Sequence, residues 1–238
     1  MRASGGKAID GDEFDRIWLQ YLRTGGQSRL RCLLLNTELM PRLIIATKNA
    51  HKTAEIAAKL GIDWEVDDLN AYPEMVSPEE TGSTFEANAT IKATIASKIL
   101  GGWVMADDSG LEVDALGGAP GVRSARYAGL EANDAENRDC LLKALANFRG
   151  KQRAARFRCA LVLAKGGEPR GTFDGVVEGV IIHKERGGGG FGYDSIFLPD
   201  GFCETFGQLG SEIKNQVSHR ARALEKAMDF LVGVRGDF

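Results

Sequence analysis

Several short runs hold residue types that could do chemistry. Ala106, Asp107, Asp108, Ser109 and Gly110 follow directly on an apolar stretch. Carboxylates at the end of a strand are a common way to hold Mg²⁺, which takes one or two of them plus substrate phosphates. Two adjacent acids there cannot both point the same way. One is expected in a cleft, the other on a hydrogen-bond partner or solvent. The plainer alternative is a turn, because Asp-Ser-Gly suits one. Glu79 and Glu80, before Thr81 and Gly82, are either acids complementing a helix N-terminus or a second carboxylate for the same metal.

Cations occupy two places where stability alone would not put them. Thr47, Lys48, Asn49, Ala50, His51 and Lys52 lie between an apolar strand-like run and a helical pattern. Lys214, His219 and Arg220 gather at the expected start of the last helix. A cation at a helix N-terminus is unfavourable unless an anion sits there. The run of four glycines, Gly187 to Gly190, leads into Phe191, Gly192, Tyr193 and Asp194. An aromatic ring beside a permissive backbone can stack a base, and Asp194 can accept from a ring N–H. Acids for a metal, cations for phosphates and aromatics for a base together describe a nucleotide site. No GxxxxGK[ST], HExxH or GxSxG is present.

The elements that must carry these groups follow from periodicity. Residues 42–46 read as a buried β-branched strand, and 52–60 as a helix with Gly61 as its cap. Residues 64–66 form a second strand. Ser83 and Glu86 have capping-box spacing, which predicts a helix to Leu100. Residues 103–106 form a strand ending at the paired aspartates. Asn133 and Glu136 give another capping box, with a helix to Phe148. Residues 156–165 and 172–183 form a hairpin across Gly166 and Gly167, and 218–232 the last helix. This predicts a mixed α/β fold: a long twisted mixed sheet flanked by helices, with the cleft between two lobes. Many of the glycines are expected at points where backbone approaches ligand.

The chain has 238 residues, with thirty lysines and arginines against thirty-three acids, a net charge of −3. A protein that coats nucleic acid would be basic, so polymer binding is not expected. Cys32, Cys140, Cys159 and Cys203 form no CxxC pair and read as small buried or half-buried hydrophobes. No apolar run reaches the ~20 residues of a membrane span and no secretory signal is visible, so the cytoplasm is expected. Residues 1–40 read as an extension with a short amphipathic helix over 14–22. Met40 marks where a shorter version would begin, and residues 41–238 form the functional domain.

The chain resembles the inosine triphosphate pyrophosphatase family, also called XTP/dITP diphosphatases. The matching runs are residues 47–52, 79–82 with Phe85 and Asn88, 106–129 (ADDSGLEVDALGGAPGVRSARYAG), 157–162, 190–197 (GFGYDSIF) and 212–224. The resemblance implies hydrolysis of non-standard purine nucleoside triphosphates to monophosphate and pyrophosphate, with Mg²⁺, in a homodimer. It implies Asp108 as general base and metal ligand, with Glu79 as the other metal-side acid and Glu80 as the near alternative. It implies phosphate contacts from residues 47–52 and a substrate contact from Ser109. Base and phosphate contacts follow from Phe191, Gly192, Tyr193, Asp194, Lys214, His219 and Arg220. Two positions depart from the family pattern. Lys48 replaces a glycine, which strains the loop if φ there is positive and otherwise adds a cation near the phosphates, and Ser195 replaces a proline, which loosens its turn slightly. The alternatives are a nucleotide-binding module without turnover and a related pyrophosphatase for modified pyrimidine nucleotides.

Overall fold

The apolar β-branched run at the start of the regular pattern becomes strand β1 (Arg42–Ile45). It pairs in parallel with β2 (Glu65–Asp68) on one side and β3 (Trp103–Val113) on the other. The computed structural model describes residues 40–237; the helix expected over residues 14–22 lies outside them. From β3 onward the sheet is antiparallel, through β4 (Ala154–Lys165), β5 (Glu168–Ile181) and β6 (Phe197–Pro199). The strand order is β2-β1-β3-β4-β5-β6. Gly166 and Gly167, both at positive φ, close the expected β4–β5 hairpin. The architecture is the mixed α/β sheet flanked by helices that the sequence predicts.

Helix α1 (Ala50–Leu60) begins two residues earlier than its apolar periodicity suggests, because the Asn49 side chain caps it. Helix α2 (Phe85–Leu100) is capped by Thr84, whose hydroxyl accepts from Ala87 N–H, and not by the expected Ser83–Glu86 box. The Asn133–Glu136 box is present, but α3 (Asp134–Ala144) ends four residues before Phe148. The last cationic run is divided between two helices. Lys214 belongs to α4 (Ser211–Val217), Ser218 caps the next turn, and His219 and Arg220 open α5 (His219–Gly233). The paired aspartates are not at a strand end either. β3 continues through them to Val113 because its pairing with β4 runs on to Ala155.

That continuation decides where the aspartates point. Successive residues of a strand face opposite sides. Trp103 and Met105 pack with Leu43, Ile45, Leu161, Leu224 and Leu231, the layer beneath α1 and α5. Val104 and Ala106 pack with Phe85, Ala89, Ala93 and Val162, the layer beneath α2. Asp107 therefore continues the first face and Asp108 the second. A third cluster, containing Leu111, Val113, Phe157, Phe197 and Phe206, fills the far end of the sheet. Each fully buried aliphatic contributes about 1.5–3 kcal/mol, so the site rests on a stiff floor.

Candidate functional site

Asp107 is a buried anchor. Its carboxylate accepts from Arg220 Nε at 3.0 Å, from the Ser109 hydroxyl at 3.1 Å and from the Cys159 thiol at 3.0 Å, and pairs with Lys52. Burial works against its charge, but Arg220 and Lys52 hold its carboxyl well below the usual range. Burial, with Asp107 beside it, holds the Cys159 thiol protonated. Arg220 also pairs with Glu55 of α1, and Glu55 with Lys214 at 2.8 Å. Lys214 reaches Asp194 at 2.7 Å. Lys52, Asp107, Arg220, Glu55, Lys214 and Asp194 thus form one alternating line of charges from α1 to the aromatic segment. Of the cations that looked misplaced in the sequence, Lys52, Lys214 and Arg220 are balanced by the protein's own carboxylates.

Asp108 faces α2. Lys92 Nζ lies 2.9 Å from Asp108 Oδ1, 2.9 Å from Glu80 Oε1 and 2.8 Å from the Asp107 carbonyl. Asn88 donates to Asp108 at 3.2 Å and accepts from Gly82 N–H at 2.7 Å, so it ties the acidic loop to the strand. Burial pushes the Asp108 carboxyl above its usual range, against the pull of Lys92. Glu80 is held below its usual range despite burial, by Lys92 and by Arg126 at 3.1 Å. Glu79 is exposed, so the acid beside Asp108 is Glu80. Among the described residues no three His, Cys, Asp or Glu side chains gather as a ready metal cluster. The donor set is two carboxylates whose oxygens converge on the Lys92 ammonium, and Mg²⁺ is satisfied by such a pair when phosphates and water complete its shell.

The loop before α1 is tighter than expected. The Asn49 side chain accepts from His51 and Lys52 N–H, at 3.0 and 3.4 Å, so these donors are taken. Thr47 Oγ1 accepts from Asn49 N–H at 3.1 Å. No described non-glycine residue has positive φ, so Lys48 sits without strain, its side chain exposed. Across the cleft, Phe191 stacks on His51 at 5.4 Å and lies under Lys214 Nζ at 4.7 Å. Its N–H donates to Asp194 at 2.9 Å. Burial, against Lys214, raises the Asp194 carboxyl. Burial likewise raises the Tyr193 phenol, which donates to the Ser124 carbonyl at 2.8 Å. His219 is buried, stacks on Phe157 at 4.8 Å, and leaves Nδ1 without a partner. Burial, with Arg220 adjacent, holds it neutral, well below its usual pKa.

Asn49, Lys52, Glu80, Asp108, Phe191 and His219 are among the residues that line a cavity of about 160 Å³. A polar pocket of about 350 Å³ adjoins it, sharing Asn49, Asp134, Phe191, Gly192 and Asp194. Ligand pockets usually hold ~300–1,000 Å³, which the pair reaches together. A larger cleft of about 540 Å³ near Arg123 and Arg158 contains neither Asp108 nor any lysine. Gly110 lines the cavity that holds Asp108 and also serves internal packing, since a Cβ there would lie 2.4 Å from the Ser124 hydroxyl. Cys203 is exposed rather than buried. Sequence reasoning assigned no role to Lys92 and Glu55. The available signal for Lys92 was a lysine on the apolar face of α2, four residues after Asn88 and flanked by Ala89, Ala93 and Ala96.

The Ham1 family pattern matches residues 43–230. A dITP/XTP pyrophosphatase of Geobacillus kaustophilus is 50% identical over 190 residues, 79% of this chain and 92% of its own. That of Geobacter sulfurreducens is 47% identical over 193 residues, 81% and 97%. A HAM1 protein from Coxiella burnetii superposes with a TM-score of 0.74 at 39% identity, over 82% of this chain and 100% of its own. The Ham1 protein of Staphylococcus aureus gives 0.72 at 40% identity, over 81% and 98%. With the family pattern spanning most of the sequence and the relatives matched nearly end to end, the chain belongs to the Ham1 family.

Proposed function

We infer that this protein hydrolyses non-standard purine nucleoside triphosphates, ITP, dITP and XTP, to the monophosphate and pyrophosphate, and so removes them from the nucleotide pool. The convergence of the Asp108 and Glu80 carboxylates on the Lys92 ammonium, beside an aromatic wall, carries this reading. Curated relatives near half identity named dITP/XTP pyrophosphatase support it.

In this mechanism Asp108 takes the proton of the attacking water. Its raised pKa makes it a stronger base than an exposed aspartate. Lys92 and Asn88 each donate to one of its two oxygens and so fix the orientation of the carboxylate. Asp108 and Glu80, in preference to Glu79, would hold Mg²⁺, which supplies charge neutralisation on the triphosphate. Lys52, which lines the cavity, and Lys48 of the same loop would counter the charge that develops on departing pyrophosphate. Phe191 stacks the base. Four of the five guanidinium N–H donors of Arg220 are already taken by the protein, and the neutral His219, with Nδ1 free, lines the cavity, so we assign the 6-keto edge to His219. A donor there is satisfied by O6 and left unpaired by the amine of adenine.

The test is pyrophosphate release with Mg²⁺ across a nucleotide panel. Turnover of ITP, dITP and XTP should exceed that of ATP and GTP by at least about a hundred-fold. Equal rates, or binding of ITP without turnover, would refute the assignment. A preference for modified pyrimidine nucleotides would favour the related pyrophosphatase instead. We further propose a homodimer, testable by light scattering, residues 1–40 as an extension outside the functional domain, and a cytoplasmic location, where the nucleotide pool lies.

A further inference from the structure

Gly192, at the centre of the aromatic segment, has the peptide units on both its sides held by α3. Its N–H donates to Asp134 Oδ2 at 2.6 Å, and its carbonyl accepts from Arg138 at 2.9 Å. Asp134 and Arg138 stand four residues apart, one turn along the same helix face. Arg138 Nε also lies 3.0 Å from Glu185 Oε2, an ion pair without hydrogen-bond alignment. The same Glu185 oxygen accepts from the Ser195 hydroxyl at 2.8 Å. Ser195 was expected to loosen its turn; it is buried and ties that turn to Glu185 instead. The helix is itself fixed: the Asn137 side chain accepts from Ala128 N–H at 2.8 Å and donates to the Ala125 carbonyl at 3.0 Å.

Gly192 sits at φ +60°, with open space where a side chain would be. A glycine peptide samples both signs of φ and reorients easily unless its N–H and C=O are both held. Reorientation would carry Phe191 and Asp194 with it. We propose that Arg138, working with Asp134, Glu185 and Ser195, is a positioning residue that presets the aromatic segment for the purine. This rests on the assignment of Phe191 and Asp194 to the base wall. Arg138 is not among the residues lining the cavity that holds Asp108 and Lys52, so its loss should weaken substrate capture and leave the chemical step in place.

The experiment measures KM and kcat for ITP in the full-length enzyme. Arg138→Met should raise KM about ten-fold, the loss of one charge-assisted hydrogen bond, with kcat within about two-fold. Arg138→Lys should recover most of the loss, because a lysine still reaches the carbonyl or Glu185. Glu185→Gln, which leaves the helix intact, should raise KM about three-fold and serves if Arg138→Met does not fold. An unchanged KM in Arg138→Met or Glu185→Gln would overturn the proposal, as would a fall in kcat at constant KM. Wild-type enzyme without activity on ITP would instead sink the functional assignment itself.

Discussion

Replacing Asp107 by asparagine should cost stability and activity together, through one cause. The Asp107 side chain is fully buried, and Arg220 beside it is 1% exposed. Removing one partner of such a pair leaves a buried charge uncompensated, which typically costs 3–5 kcal/mol. Arg220 keeps Glu55, and Lys52 retains some access to water, so the low end, about 3 kcal/mol, applies. For a domain of this size each kcal/mol lowers Tm by about 2–4 °C, which gives a drop of about 6–12 °C. The sign with pH is fixed by the depressed pKa of Asp107. Its contribution is complete above the ordinary aspartate value of 3.8 and is lost only as pH falls through the lower folded value. The difference between wild type and Asp107→Asn should therefore be the same at pH 7.5 and pH 5. Thermal melts at both pH values test this. A drop under about 2 °C, or one that vanishes by pH 5, would refute the buried-anchor argument.

Glu80→Gln should raise the Mg²⁺ concentration for half-maximal turnover about ten-fold, and Glu79→Gln should change it less than two-fold; the reverse pattern would return the metal role to Glu79. Lys92→Met removes the cation that lowers Asp108, so the acid limb of the kcat/KM profile should move toward alkaline pH by at least about one unit. An unmoved limb would show that Lys92 does not set that base. His219 is buried neutral, its pKa well below 6.5. The unfolded chain takes up a proton that the folded one refuses, so stability is lost as pH falls from 6.5 toward the folded value. That loss is at most about 1.4 kcal/mol per pH unit. Denaturant titrations between pH 7 and pH 5 should show this slope in wild type and not in His219→Asn; equal slopes would contradict it.

The strands, most helices and the site runs were legible because their signals are local. Apolar periodicity marks β1 and α5, and Asn133 with Glu136 marks the start of α3. What escaped was set by pairing across the fold. Asp107 and Asp108 look like a turn after a strand until β4 is seen to extend β3 beyond them. Lys214 and Arg220 look like one helix start until Ser218 is seen dividing two helices. That these cations also pair with Glu55 was hidden because Glu55, far away in sequence and oriented by α1, could not be placed beside them. Glu79 and Glu80 are indistinguishable in sequence; the bonds of Glu80 to Lys92 and Arg126 separate them.

The most direct test of the account is where solvent oxygen goes. Hydrolysis of ITP in water labelled with oxygen-18 should place the label in inosine monophosphate and none in pyrophosphate, because the water activated by Asp108 attacks the α-phosphorus. Label in pyrophosphate, or in free phosphate, would place the attack elsewhere and contradict the mechanism.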